Sequence, residues 1–384
     1  MNHIKNFNST INGTRGIAVL SVLLFHIEVS LFKGGFIGVD IFFVISGYLI
    51  SRSIIPHIEN NKFSFRKYFE RRCKRILPSY LLILIISFII ISSIFINTHY
   101  NYSVKEIFHA LFFIQNFYYW DQAGYFGLEN LYKPLLNTWS LAIEIQFYFF
   151  FPFLFILLRK KIIFLITLSL FLSIIYMDRN FSYFLIPTRF FEFGIGILFF
   201  LIQRARENHY KYYFSNFFFI LGVFFIIFSA IYLDGEKSFP GFYALLPCLG
   251  TGLIIYNSKL TKLNYLLNNK FFNFFGDISY SLYLIHWPLI IFYKYFFIKI
   301  NLNFFDQILI ITLSTFFSFI VTFYFEVNFY KKNTPNPIIS FKNLLFSYFL
   351  LFLLVSVSFF TASEDRQNNK DSTIKNKITK PLIT

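Results

Sequence analysis

Apolar runs of 18 or more residues recur along the whole of this 384-residue chain, and a run of that length with few charges is long enough to cross a bilayer as a helix. In hydrocarbon a helix satisfies its own backbone N–H and C=O groups, so such runs fold as helices. They predict an all-α polytopic membrane protein with spans near residues 12–32, 36–55, 76–98, 138–158, 162–177, 181–203, 213–232, 240–257, 274–296, 305–328 and 340–361. The fifth and eighth are short for a hydrocarbon core of about 30 Å. The first carries Arg15, His26 and Glu28 and has no small-residue cleavage site, so it reads as a retained helix rather than a signal peptide. The expected organisation is a core of about ten helices over residues 1–333, one extra transmembrane helix within 334–361, and a short polar tail at 362–384.

Composition removes the rival classes. Residues are 56% hydrophobic and only 14% charged, far from a soluble balance. The net charge of +16 would suggest nucleic acid in a soluble protein, but here the charge is distributed by loop. With the N-terminus inside, 21 of the 35 lysines and arginines fall in cytoplasmic loops or within a turn of them, and 7 in outer loops or within a turn of them. That bias places the N-terminus in the cytoplasm, leaves the C-terminus outside, and predicts no nucleic-acid partner. Cys73 and Cys248 imply no disulfide framework, and the dispersed histidines suggest no metal. The outer loop 99–137 is long and rich in aromatics, including Tyr118, Tyr119, Trp120 and Tyr125, with an apolar piece around 107–115. Loops of that length without clear structure of their own are usually functional or disordered.

The chemistry concentrates in ionisable residues placed inside apolar runs, each a functional-site hypothesis by default. Arg15 and His26 are eleven residues apart, about three turns plus 20°, so they share one face of a helix at roughly 16 Å along its axis. Lys33-Gly34-Gly35 turns the chain, and counting from it His26 and Asp40 reach similar depths, about 12 and 9 Å, on neighbouring antiparallel helices. Their meeting would give an oriented general base or a buried hydrogen bond that only locks two helices. Asp40, Gly47 and Ser51 share one face of the second helix as a stripe for close packing. In the loop before the third span, Arg66, Lys67, Arg71, Arg72, Lys74 and Arg75 alternate with Phe63, Phe65, Tyr68 and Phe69. This segment either lies on anionic membrane lipids or forks Arg72 and Arg75 onto a phosphate. Glu144, two turns into the fourth span, must be protonated or paired with another helix. Arg189 and Glu192 are spaced to pair within one helix. Ser279, Tyr283 and His286 form a polar stripe on the ninth span, beside Pro288.

Together these segments resemble the acyltransferase-3 family of membrane O-acyltransferases. The likeness rests on Arg15-x10-His26, Gly35-Phe-Ile-Gly-Val-Asp40 through Ser46-Gly47, Arg72-x-x-Arg75 with Pro78, and Trp139-Ser140-Leu141 with Glu144 and Gln146-Phe147-Tyr148. It continues through Pro187-x-Arg189-x-x-Glu192, Ser279 to Pro288, and Glu326, in order over about residues 11 to 330. After Glu326 the chain reads Val-Asn-Phe-Tyr, where many relatives have a proline. The resemblance implies that an acyl group, commonly acetyl from cytoplasmic acetyl-CoA, is moved to a hydroxyl of a glycan beyond the membrane. It assigns Arg72 and Arg75, with Arg15, to the CoA phosphates. His26 becomes the catalytic residue, with Asp40 or Glu144 as its orienting carboxylate. Trp139, Arg189, Glu192, Ser279, Tyr283 and His286 are candidates to line the substrates, and no metal is implied.

The acceptor expected is a lipopolysaccharide O-antigen or its lipid-linked precursor, and the location a bacterial inner membrane. Longer relatives continue into an extracytoplasmic hydrolase-like domain, so either the core acts alone or a separate extracytoplasmic transferase completes the reaction. The rivals are a transporter or flippase, which would use the intramembrane charges as a path, and a polysaccharide polymerase, which would alter chain length rather than acetyl content.

Overall fold

A computed structural model of the protein describes residues 9–121, 132–177, 180–205, 214–234, 239–326 and 343–360. The tail 362–384, Tyr125 and most of the junction after Glu326 lie outside them. All regular structure among the described residues is helical. The chain runs through α1 (Ser9–His26), α2 (Gly38–Glu59), α3 (Phe65–Ile94), α4 (Asn97–Leu111), α5 (Gln115–Trp120), α6 (Trp139–Leu158) and α7 (Ile162–Ile175). It continues through α8 (Asn180–Phe184), α9 (Ile186–Ala205), α10 (Ser215–Tyr232), α11 (Leu245–Asn257), α12 (Lys270–Phe297), α13 (Phe304–Ile320) and a π-helical turn, Val321–Glu326. A last helix, α14, covers Asn343–Phe360.

A helix lies on every one of the eleven apolar runs. Among the described residues seven stretches are long and apolar enough to cross a membrane, so the protein is a multi-pass membrane protein. Helices α7 and α11, with 14 and 13 residues, extend only about 21 and 20 Å. Helices α1 and α12 are long enough but fall outside the seven because they carry the polar residues of the site.

The centre of the bundle is the contact of α1 with α12, flanked by α2 and α9. Two glycines permit these approaches. A Cβ at Gly276 of α12 would sit 2.1 Å from the Asn12 carbonyl oxygen of α1, and one at Gly47 of α2 would sit 2.0 Å from that of Phe193 in α9. A side chain at either would push the backbones apart. The expected close-packing stripe on α2 is therefore its contact with α9. Across the first contact Asn12 donates to the Asp277 carboxylate at 2.8 Å and to the Asn273 carbonyl at 3.0 Å.

One expectation about the helices needs correction. The apolar run predicts a first helix over 12–32, but α1 ends at His26, because Glu28 adopts φ +65° and cannot continue a right-handed helix. The chain then passes through two short 3-10 turns, with Gly34 N–H bonded to the Ala230 carbonyl of α10 at 3.0 Å. His26 is thus the last residue of α1, not a position two turns from its end. In the segment between α3 and α6, helices α4 and α5 pack on α3 and α6. Helix α14 lies against α4 through Phe108–Phe359 ring centroids 4.5 Å apart and a hydrogen bond from the Tyr348 hydroxyl to the Leu111 carbonyl.

Glu106 of α4, which is not one of the seven spanning stretches, is buried and accepts from the Leu135 backbone N–H at 3.4 Å. Burial pushes its carboxyl up to about 8. The folded state therefore holds a proton that the unfolded chain releases near the ordinary value of 4.5. Stability is fully present below that value and declines as pH rises towards 8, by ~1.4 kcal/mol per unit. Thermal unfolding in detergent from pH 5 to 8 should show this slope in the natural chain, and Glu106→Gln should flatten it.

Candidate functional site

A cavity of about 830 Å³, counting its open mouth, lies among α1, α2, α3, α6 and α12. Arg15 of α1 and Arg72 and Arg75 of α3 border it as its cations. Arg72 and Arg75 are half-buried, whereas Arg66, Lys67 and Arg71 on the same helix are exposed. One helix face thus supplies inward guanidinium groups and another supplies outward charge. The Arg72 guanidinium carbon sits over two rings, 5.3 Å from Tyr148 and 5.7 Å from Tyr68. Glu326, at the end of the π-helical turn, accepts from Ser79 at 2.7 Å and from Ser281, within electrostatic reach of Arg75 and Arg15.

Further in, Glu144 accepts from the hydroxyls of Ser46 and Tyr148, so its partners come from α2 and from its own helix rather than from a cation. Phe42, Phe43, Leu49 and Ile50 supply apolar wall. At the far end the Tyr283 hydroxyl meets Ser140 Oγ at 2.6 Å and donates to the Asn137 carbonyl at 2.8 Å. Asn137 returns a bond to the Tyr283 carbonyl, tying the start of α6 to α12.

His26 and His286 do not border this cavity. They lie past Tyr283, whose ring centroid is 5.6 Å from that of His286. The His26 and His286 rings are nearly parallel with centroids 5.1 Å apart, and His26 Nδ1 is 2.9 Å from His286 Nε2. His286 Nδ1 in turn is 2.9 Å from the Leu282 carbonyl oxygen. Trp287 packs on His26 with centroids 4.6 Å apart, and its N–H is held by the Lys133 carbonyl at 2.9 Å.

Asp40 does not meet His26. Its Oδ1 accepts from Arg189 of α9 at 2.9 Å, and Arg189 also bridges to Glu192 at 2.7 Å. All three side chains are at most 1% exposed, and the Arg189 guanidinium sits over the rings of Tyr183, Trp139 and Phe239. Arg189, Glu192 and Trp139 were expected to line the substrates, but none of the three borders the cavity, because α9 turns this cluster towards α2. The intrahelical pairing of Arg189 with Glu192 is present as expected. Of the remaining candidates Arg15, Arg72, Arg75, Glu144, Ser279 and Tyr283 border the cavity together, and His286 joins His26 instead. Ser46, Ser140, Asn137 and Tyr148 had no assigned role, although each is a polar residue within an apolar run or at its edge.

The acyltransferase-domain family model matches residues 8–327. The chain belongs to the acyltransferase-3 family. Its relatives include an uncharacterized protein of Haemophilus influenzae, 35% identical over 57% of this chain and 98% of the relative. They also include the peptidoglycan O-acetyltransferase OatA of Listeria monocytogenes, 35% identical over 38% of this chain and 23% of that protein. A Staphylococcus aureus protein whose name proposes an O-acetyltransferase is 28% identical over 84% of this chain and 57% of its own length. The chain thus spans well under two thirds of the two relatives that carry an acetyltransferase name. No solved structure matches it. As an acyltransferase domain it has to hold an acyl donor, and the cavity offers three guanidinium groups beside an apolar wall. Among the described residues no cluster could hold a metal ion.

Proposed function

We propose that this protein moves an acetyl group from acetyl-CoA to a hydroxyl of a cell-surface glycan, with the O-antigen of lipopolysaccharide or its lipid-linked precursor as acceptor. The observation that carries the reading is the cavity with Arg15, Arg72 and Arg75 among its lining, which leads towards His26. Three guanidinium groups suit the phosphates of CoA, since each can fork onto phosphate oxygens. The polar lining beside them, with the hydroxyls of Ser46, Tyr148, Ser140 and Tyr283, suits the amide-bearing arm that follows. The bias of lysine and arginine between loops supports an inner-membrane chain whose N-terminus and cationic cavity end face the cytoplasm.

In this reading His26 takes the proton of the acceptor hydroxyl as its oxygen attacks the thioester carbonyl. The new C–O bond forms, the C–S bond breaks, and the imidazolium returns its proton to the CoA thiolate. Tyr283 stands between the cavity and the imidazole pair, so the thioester has to pass its ring to be attacked.

Peptidoglycan is the second acceptor, favoured by the name of the Listeria relative. The test is NMR of lipopolysaccharide and of peptidoglycan from cells with the gene, without it, and with Arg72→Ala/Arg75→Ala. Acetyl-ester signals on O-antigen are expected only with the natural gene, and the double variant should lower them together with affinity for the donor. Acetyl esters gained on peptidoglycan alone would move the acceptor. Unchanged acetyl content in both glycans would overturn the reading.

A further inference from the structure

We infer that His286 is a positioning residue for His26, one that holds the His26 ring in the single neutral tautomer able to act as a base towards the acceptor. The inference rests on the reading of His26 as that base.

The argument starts from a group that has no choice. The Leu282 carbonyl can only accept, so the nitrogen 2.9 Å away, His286 Nδ1, carries a hydrogen. A neutral imidazole has one N–H, so His286 Nε2 then holds a lone pair. The atom facing it at 2.9 Å is His26 Nδ1, and two lone pairs cannot be opposed at that distance, so His26 Nδ1 carries the hydrogen of its ring. His26 Nε2 is left with the lone pair. A proton taken up there makes His26 an imidazolium whose Nδ1–H still points at the His286 lone pair, which strengthens as the charge develops.

A carboxylate usually serves this purpose in soluble sites, and the resemblance implies Asp40 or Glu144 for it here. Asp40 is instead committed to Arg189, and Glu144 accepts from Ser46 and Tyr148. A neutral imidazole orients the base without placing a net charge beside it, which matters in a site where an unpaired ion is costly. The packing enforces the arrangement. The α1–α12 contact closed at Gly276 sets the spacing of the two helices, and Trp287 presses on His26 from another side. A second imidazole one helix away thus does for His26 what a carboxylate does elsewhere.

The test uses the full chain in lipid nanodiscs with ring-15N-labelled histidine, and His26→Asn to assign the His26 signals. In the natural protein His26 should show a protonated Nδ1 and an unprotonated Nε2. His286→Gln keeps an oxygen able to accept from Nδ1–H and should keep that pattern, whereas His286→Leu should release the ring towards the Nε2-protonated form. In acetyl transfer, His286→Leu should lower kcat at least ~10-fold, a share of the ~10²- to 10⁴-fold that a positioned base contributes, with the donor KM within about twofold. His286→Gln should recover most of that loss. A His26 protonated on Nε2 in the natural protein, or a kcat indifferent to His286→Leu, would overturn the inference. If the natural chain transferred no acetyl group, the functional reading would fall while the nitrogen spectra still decided the tautomer.

Discussion

His26→Ala should reduce acetyl transfer by ~10²- to 10⁴-fold, the range a positioned general base supplies. The donor KM should stay within about twofold, because His26 lies beyond Tyr283 and away from Arg15, Arg72 and Arg75. This split between kcat and KM separates loss of chemistry from loss of binding. The variant also deletes the donor that His286 Nε2 faces, and a buried polar atom left without its partner costs about 1–3 kcal/mol. Membrane levels and melting temperature are therefore measured beside the rate, and the rate is expressed per folded molecule. His26→Ala at natural kcat would remove His26 from the chemistry. The same preparation answers a second question, since labelled acetyl retained on the natural protein without acceptor would indicate a relay through an acyl-histidine.

What the sequence made legible was the helical period. Apolar length located a helix at each of the eleven runs, and angular spacing placed Arg15 with His26, and Ser279 with Tyr283 and His286, on common faces. In the structure Arg15, Ser279 and Tyr283 border the cavity, while His26 and His286 meet each other outside its lining. Periodicity says which residues of one helix look the same way, but not which other helix they look at. His26 and His286 are 260 residues apart, and Asp40 and Arg189 are 149 apart. No spacing rule reaches that far. Depth counted from the Gly34-Gly35 turn paired His26 with Asp40 because it assumed a helix continuing to residue 32, and the left-handed Glu28 breaks that assumption. The close approach of α1 to α12 could have been suspected from Gly276, but a lone glycine names no partner.

The two buried polar clusters on either side of α2 differ in kind. The cavity side is hydroxyl-rich, and its guanidinium groups are half-buried towards the mouth, an arrangement open to a charged visitor. The α9 side is sealed, and its charges answer one another. A family motif read along the chain runs both together, since Asp40 and Ser46 stand on one helix and Trp139 and Glu144 on another. Only the packing separates residues that border the cavity from residues that hold the helices around it.

That separation sets the second large effect. Arg189→Leu should destabilise the fold by about 3–5 kcal/mol, because it leaves the Asp40 and Glu192 carboxylates buried and uncompensated. Asp40 and Glu192 are within side-chain hydrogen-bonding reach of each other, and a pair of carboxyl groups offers no positive charge to take over. The cation's place over the Tyr183 ring, 4.7 Å from its centroid, is lost as well. The triple variant Arg189→Met, Asp40→Asn and Glu192→Gln removes all three charges at similar volume and should recover most of the loss, since a buried ion cluster replaced as a unit is often close to neutral. Unfolding in mixed micelles gives the stabilities, and activity per folded molecule gives the role. A structural cluster leaves the donor KM of the folded fraction within about twofold of natural. A stable Arg189→Leu protein with a raised KM would instead return Arg189 to the substrate site.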